Sequence, residues 1–272
     1  MKKVIITIMI LAAAAMQLRA QGFDSMILPK SVEELGKGDV SPVFVRHEGS
    51  FGIDASFMKW APKSVNNTIL GASAYYQLKD RYEVNLEFRQ NSGQQYNITD
   101  PLGTITGQYK PKDMIEGLGF TCKITDFLAV GVKGRYMSAN LGEELTISGF
   151  GIDAGVQYFS DALTVEFGAA NLGSEVALAK VDGSYSIAGI TASAEVDYMF
   201  AGALMAAAGV EYSIKDIAFV RAGYHYGADT ALPSFATVGA GAKFAGVSIN
   251  AAFLIGSEGV GNTLMFGLGY SF

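Results

Sequence analysis

The stretch Asn262-Thr-Leu-Met-Phe-Gly-Leu-Gly-Tyr-Ser-Phe272 at the end of the chain decides the fold class. Every second residue of it, from Leu264 to Phe272, is large and apolar, which is the period of a β-strand and not of a helix. The residues between them are small or polar. A soluble sandwich would carry charges on its outward face. In a transmembrane β-barrel, by contrast, the face of large apolar residues contacts lipid and the face of small or polar residues lines the water-filled lumen.

The composition supports the same class of fold. Half of the chain is hydrophobic and the mean hydropathy is +0.25, yet the longest apolar run after the first twenty residues, 199–210, contains two glycines. A membrane-spanning helix needs about 20 consecutive apolar residues, so such helices are excluded. Short alternating segments can cross a bilayer only as a closed barrel, because no other arrangement satisfies the backbone of every strand.

The N-terminus has the pattern of a secretory signal peptide. Lys2 and Lys3 precede an apolar run from Val4 to Met16, and Leu18-Arg19-Ala20 offers a small-residue cleavage site. We expect cleavage between Ala20 and Gln21. The precursor has a net charge of −6, and removal of three basic residues would leave about −9, which argues against nucleic acid as a partner.

The remainder divides into an arm and a barrel. Residues 21–48 lack alternation, except that Ser31 can cap a short helix toward Glu34, and they are interpreted as a periplasmic or luminal arm. Residues 49–272 contain about fourteen strands, with twelve as the alternative. Tight turns at 79–80, 125–126, 160–161, 182–183, 215–216 and 245–246 suit the periplasmic side, and the longer connections at 91–112, 140–144, 228–233 and 257–261 suit the exterior.

Almost every charge within the predicted strands falls on the face opposite the large apolar residues. A Lys or Arg at the bilayer midplane costs on the order of 2–4 kcal/mol, so we expect these charges to line the lumen. They form either a satisfied structural network or a selective pathway. The candidates for this luminal network are Glu83, Arg89, Arg135, Asp153, Glu166 and Arg221.

No catalytic, cofactor-binding or metal-ligating pattern emerges from the sequence. The two histidines, His47 and His225, lack metal-ligand spacing, and no nucleophile elbow or phosphate-binding loop occurs. The stretch 149–154 matches a dinucleotide fingerprint only loosely, and no helix follows it. We therefore expect a protein that is not an enzyme and holds no cofactor.

Several stretches resemble the PorV/PorQ-type outer-membrane proteins, which are relatives of the FadL-like fatty-acid transporters. They are Val130–Leu141, Gly151–Tyr158, Asn171-Leu-Gly173, Val220–Tyr224, Val238–Phe244 and Gly261–Thr263. The resemblance covers roughly residues 115–272. The Asn-Pro-Ala usual in the family's N-terminal part is absent, and Ser41-Pro42-Val43 stands nearest to it.

The resemblance implies one of two functions for a monomeric barrel in the outer membrane of a Gram-negative bacterium. The first is a scaffold that binds type IX secretion components or their exported cargo through its outer loops. Tyr96 and Tyr109 in loop 91–112 are the candidate contacts for such partners. The alternative is a FadL-like conduit for hydrophobic small molecules, plugged by the N-terminal segment. Fold alone does not decide between the two functions.

Overall fold

The computed structural model describes residues 24–47, 49–60, 66–140, 145–227, 232–256 and 261–272. The predicted signal peptide and the cleavage site at Ala20 and Gln21 lie outside these residues. Fourteen antiparallel strands form a closed barrel, and two further strands form a separate hairpin. The segment before the first strand, 24–47, lies inside the barrel. The predicted all-β barrel of fourteen strands is confirmed, and the alternative of twelve is wrong.

The strands follow the chain around the barrel, each paired with its sequence neighbour, and the hairpin β4–β5 is inserted between β3 and β6. The bounds are β1 Phe51–Trp60, β2 Asn67–Leu78, β3 Tyr82–Ser92, β4 Tyr96–Thr99, β5 Ile105–Tyr109, β6 Lys112–Thr125, β7 Leu128–Asn140, β8 Thr146–Phe159, β9 Leu163–Leu172, β10 Leu178–Ile187, β11 Ile190–Met199, β12 Leu204–Ile214, β13 Ala218–Tyr226, β14 Phe235–Phe244, β15 Val247–Gly256 and β16 Thr263–Ser271.

The first and last strands close the sheet. β1 pairs with β16 in antiparallel register, with Phe57 opposite Phe266 and Met58 opposite Met265. The alternation predicted for the last strand is present, since Thr263 and Met265 are buried while Leu268 is 57% exposed. An exposed apolar residue at every second position around the wall is the outer surface that a bilayer requires.

The tight turns all lie at one end of the barrel, because two barrel strands separate each tight turn from the next and bring the chain back to the same end. Four of them have both central residues at positive φ, as type I′ hairpins require. These pairs are Lys79-Asp80, Ala188-Gly189, Lys215-Asp216 and Ala245-Gly246. We call this the short-turn end, and the opposite end, which carries the longer connections, the long-loop end.

One predicted strand and its turn are misplaced. The sequence pattern predicts a strand that ends at 181 and a turn at Asp182-Gly183, but this dipeptide lies in the middle of β10, with Asp182 opposite both Glu166 and Glu195. The turn is instead at Ala188-Gly189. Asp-Gly is a strong hairpin signal locally, yet pairing on both sides of β10 overrides it because every backbone group of a barrel strand must find a partner.

Aromatic side chains ring the outer surface near both ends. At the short-turn end they include Tyr76, Tyr158, Tyr185, Tyr212 and Tyr270, and at the long-loop end Phe88, Tyr136, Phe150, Tyr198 and Tyr226. Such rings are typical of the two interfaces of a bilayer. No helix in the described part of the chain has the length and apolarity needed to cross a membrane.

The arm begins with a short 3-10 turn, Asp24–Ile27, and continues into helix α1, Val32–Gly36. The predicted cap is confirmed, because the Ser31 hydroxyl accepts a hydrogen bond from the Glu34 amide at 3.1 Å. α1 packs against β13 to β16, and the arm then follows the inner wall toward β7 and ends at His47 beside β2 and β3.

Inward-facing glycines make room for this path. A Cβ on Gly209 would overlap the carbonyl of Lys37, and a Cβ on Gly168 would lie 2.7 Å from the side chain of Val43. The same close approach to the arm occurs at Gly131, Gly223, Gly239 and Gly267. The strands therefore present a groove in which the arm backbone can lie directly on the wall.

Substitution of Gly209 should loosen the arm without preventing barrel formation. We expect Gly209→Val to destabilise arm docking by about 1–3 kcal/mol through overpacking, so that trypsin cleaves at Lys37 about tenfold faster. The measurement is the cleavage rate of folded protein in detergent. Gly134→Val is the matched control, because nothing lies within 4 Å of a Cβ there. Equal cleavage rates for the two variants would contradict the role of the glycine groove.

Candidate functional site

The lumen is the candidate site, and its middle and short-turn portions are charged. All six candidates of the predicted network point inward and are buried, namely Glu83, Arg89, Arg135, Asp153, Glu166 and Arg221. They are spread around the wall, and each of them contacts a residue of the arm or another residue of the wall. Whether they act as a pathway stays a prediction.

Arg135 and Asp153 form the one direct ion pair within this set, at 2.5 Å on neighbouring strands. Arg135 also contacts Glu87 at 3.3 Å and donates to the Asn171 side chain at 3.0 Å. Asn171 has φ +58° at the irregular end of β9, and its amide donates to Asp153 at 2.8 Å. The cluster therefore ties β7, β8 and β9 together where the β8–β9 ladder is interrupted, and Glu87 connects it to β3.

Two wall carboxylates hold the arm by its backbone. Glu195 accepts from the Ser41 amide at 2.7 Å, and Glu166 accepts from the Val43 amide at 2.5 Å. These bonds satisfy backbone donors that have no strand partner. Glu166 is thus an arm-binding group, which strand alternation alone does not reveal.

Lys180 is an arm-binding residue absent from the predicted network. Its ammonium contacts Glu195 at 2.8 Å and Asp197 at 3.4 Å on β11, and it donates to the Ser41 carbonyl at 2.5 Å. The misplaced turn at 182–183 hid its role, because it left Lys180 near a strand end. The alternation of Lys180 with Asp182, matched by Glu195 with Asp197, is the signal that could have found it.

Three further wall residues, Arg89, Glu83 and Tyr75, contact the arm. Arg89 donates to the carbonyls of Leu28 and Pro29 at 3.3 and 3.2 Å. His47 lies 2.9 Å from Glu83 and stacks on Tyr75, with ring centroids 3.8 Å apart. These bonds fix the two ends of the arm at separate places on the strands β2 and β3.

Arg221 contacts mainly other residues of the wall. It pairs with Glu211 at 2.5 Å and donates to Asn250 at 2.8 Å, while Glu33 of α1 lies 3.8 Å away. Asn250 in turn donates to Glu33 at 3.2 Å. α1 is therefore bound through polar groups of β13 and β15.

A cavity of about 430 Å³, here called the polar cavity because several charged side chains line it, lies between the arm and the short-turn portions of β1 to β3 and β14 to β16. Its lining includes Lys30, Asp54, Ser73 and Lys243. Asp54, Ser73 and Lys243 are exposed although they point into the lumen. The short-turn half of the lumen is therefore open to solvent on this side.

The long-loop end of the lumen is apolar. Inward-facing side chains from most strands, together with Met26, Val32 and Leu35 of the arm, form one continuous buried cluster, here called the apolar layer. Six of the chain's ten methionines belong to it. Its members include Met26, Met58, Trp60, Ile69, Ile115, Met137, Leu178, Met199, Met205, Phe235, Leu254 and Met265. Ile27 and Leu28 of the arm pack against it.

The candidate loop contacts, Tyr96 and Tyr109, lie at the ends of the hairpin β4–β5 and pair with each other. The Tyr109 hydroxyl donates to the carbonyl of Asn140 at the end of β7. At the hairpin tip, Asp100 accepts from the amides of Leu102 and Thr104, and Leu102 is 91% exposed. Segment 91–112 is thus an ordered projection rather than an irregular loop.

Asp39 is a buried acid in the arm, held at φ +67°. Burial, and then the charge of Glu34, raise its pKa to about 8, against the lowering effect of Lys180 and Lys30. Because the docked arm favours the protonated acid, the contribution of Asp39 to docking is fully present below about pH 4 and is lost as the pH rises through about 8.

Asp39→Asn should remove this pH dependence while keeping the backbone conformation, which asparagine tolerates. We expect trypsin to cleave the wild-type arm at least about tenfold faster than the variant's at pH 9, with a smaller ratio at pH 6. Taking the ratio at each pH cancels the pH dependence of the protease. A ratio that does not change with pH would contradict the linkage.

Comparison with known proteins identifies the fold. No protein-family model and no curated protein matches the chain. Among solved structures, the Ralstonia pickettii toluene transporter TbuX has a TM-score of 0.59 at 13% identity over 94% of this chain and 99% of its own. The P. putida toluene transporter TodX has a TM-score of 0.59 at 11% identity over 89% of this chain and 94% of its own.

A TodX mutant described as a monoaromatic hydrocarbon channel matches with a TM-score of 0.61 at 12% identity, over 89% of this chain and 99% of its own. At such identities the likeness concerns the fold. The chain therefore shares the barrel fold of these hydrocarbon transporters.

The described residues contain no group of three or more His, Cys, Asp or Glu side chains able to hold a metal ion.

Proposed function

We propose that this protein is an outer-membrane conduit for small, uncharged hydrophobic molecules. The observation that carries the proposal is the apolar layer, which fills the lumen at the long-loop end of a barrel otherwise lined by charges. A polar lumen throughout would suit hydrophilic solutes. The fold shared with the toluene transporters TodX and TbuX supports the same assignment.

The chemistry of the layer favours adaptable binding of apolar molecules. Methionine is unbranched and polarisable, so it fits irregular apolar shapes and contacts aromatic rings favourably. Trp60 and Phe235 add aromatic surface to the same cluster. Burying a toluene-sized molecule there would remove apolar surface from water at about 25 cal/mol per Å².

The proposed orientation follows from the two unlike ends. Long connections face the exterior in outer-membrane barrels, and tight turns face the periplasm. The apolar layer then meets molecules arriving from outside, and the polar cavity faces the periplasm. The division into a signal peptide at 1–20, an arm at 21–48 and a barrel at 49–272 belongs to this proposal, with the arm as a luminal plug.

The toluene transporters TodX and TbuX do not support the scaffold function implied by the PorV/PorQ resemblance. Contacts of Tyr96 and Tyr109 with secretion components or exported cargo stay a prediction. Tyr109 is engaged in holding the hairpin against β7 through Asn140, which gives it a structural role on the barrel rim. The conduit is therefore the better supported of the two functions.

Trp60 provides a direct test, because it is the only tryptophan and lies in the apolar layer. We expect bromobenzene, a toluene-sized quencher, to reduce Trp60 fluorescence with a saturable dose response. The measurement is steady-state emission of the purified protein in detergent.

A lipid-facing reporter is the control for quencher that merely dissolves in the detergent. Trp60→Phe combined with Phe150→Trp moves the fluorophore to the outer face, where Phe150 is 65% exposed. Quenching of this variant should rise linearly without saturation. Linear quenching of both proteins would refute binding in the layer and remove the main support for the conduit.

A further inference from the structure

The two halves of the lumen differ in their access to water. On the short-turn side, the inward-facing Asp54 and Ser73 are exposed and line the polar cavity. Four residues further along β1, the inward-facing Met58 has no exposed surface. Along β1, the exposed part of the inner surface therefore ends where the apolar layer begins.

The burial of the layer is nearly complete across the width of the barrel. Met58 and Met265 are directly paired across β1 and β16, and Ala252 on β15 lies opposite Met265. Met137 on β7 and Leu254 on β15 have no exposed surface. Met26 of the arm joins the same cluster at 2% exposure. Side chains from different parts of the wall therefore meet in the lumen.

The charged half offers a weaker barrier. Its ion pairs, such as Lys133 with Glu87 at 2.9 Å, run along the wall, and the polar cavity of about 430 Å³ lies beside them. Charged and polar groups of this kind can replace part of the hydration shell of an ion. A tightly packed apolar constriction offers no such replacement and excludes water, which makes it impermeable to ions.

We infer that the apolar layer, and not the charged network, is the ion seal of this barrel, with Met58, Met137 and Met265 as residues that determine exclusion of ions and polar solutes. Ions from the short-turn side enter the polar cavity and are stopped at these methionines. The inference concerns ions and holds whether or not hydrophobic molecules cross the barrel.

Nearly isosteric substitutions test the seal in planar bilayers. Met58→Gln, Met137→Gln and Met265→Gln combined keep side-chain volume and place amides in the layer, and we expect the mean current to rise at least about tenfold over wild type. Glu87→Gln is the matched control in the charged half, and its current should stay at the wild-type level. Retained heat-modifiable migration on gels confirms that each variant is folded.

Cysteine accessibility gives a second measurement that does not depend on the triple variant. With Cys122 replaced by Ala, a charged methanethiosulfonate reagent should modify Ser73→Cys rapidly and Met58→Cys at least about a hundredfold more slowly, because only the first position is wetted. Similar rates at both positions would overturn the inference. So would a rise in current for Glu87→Gln equal to that of the methionine triple variant.

Discussion

The pairing of β1 with β16 is the interaction on which the rest of the structure depends. In lipid, an unpaired backbone amide or carbonyl costs several kcal/mol, so a sheet of this length can exist in a bilayer only if its edges meet. Closure fixes an even number of strands and brings both ends of the sheet to the short-turn end. It also creates an interior, and everything specific to this protein occurs in that interior.

A barrel of fourteen strands is too wide for its own side chains to fill, and the arm provides the missing packing. Its backbone lies on inward-facing glycines, and its amides donate to Glu195 and Glu166. The wall charges are thus largely used to bind a segment of the same chain. Without the arm, these buried wall side chains would lose their hydrogen-bond partners, and each unsatisfied group would cost free energy. The docked arm is therefore stabilised by many polar contacts with the wall.

The division of the lumen into a charged half and an apolar half gives the barrel its chemical character. Inward-facing apolar side chains concentrate at the long-loop ends of the strands, and Met26, Ile27 and Leu28 of the arm pack with them. An aqueous pore needs a continuous polar path, and this lumen interrupts it with methionines. The same interruption suits molecules that are themselves apolar, so exclusion of ions and acceptance of hydrophobic solutes have a common physical origin.

The sequence by itself determined the barrel, because period-two alternation, strand length and the sorting of charges onto one face are local consequences of a wall between lipid and water. It also identified the Ser31 cap and the inward direction of Arg135, Asp153 and Glu166. Only the tertiary structure decided the partners of those charges, since strand alternation does not predict the contacts of a segment that crosses the lumen. The turn at Ala188-Gly189 and the role of Lys180 required the pairing of β10 on both sides, and the apolar layer required the ends of distant strands to be brought together by closure.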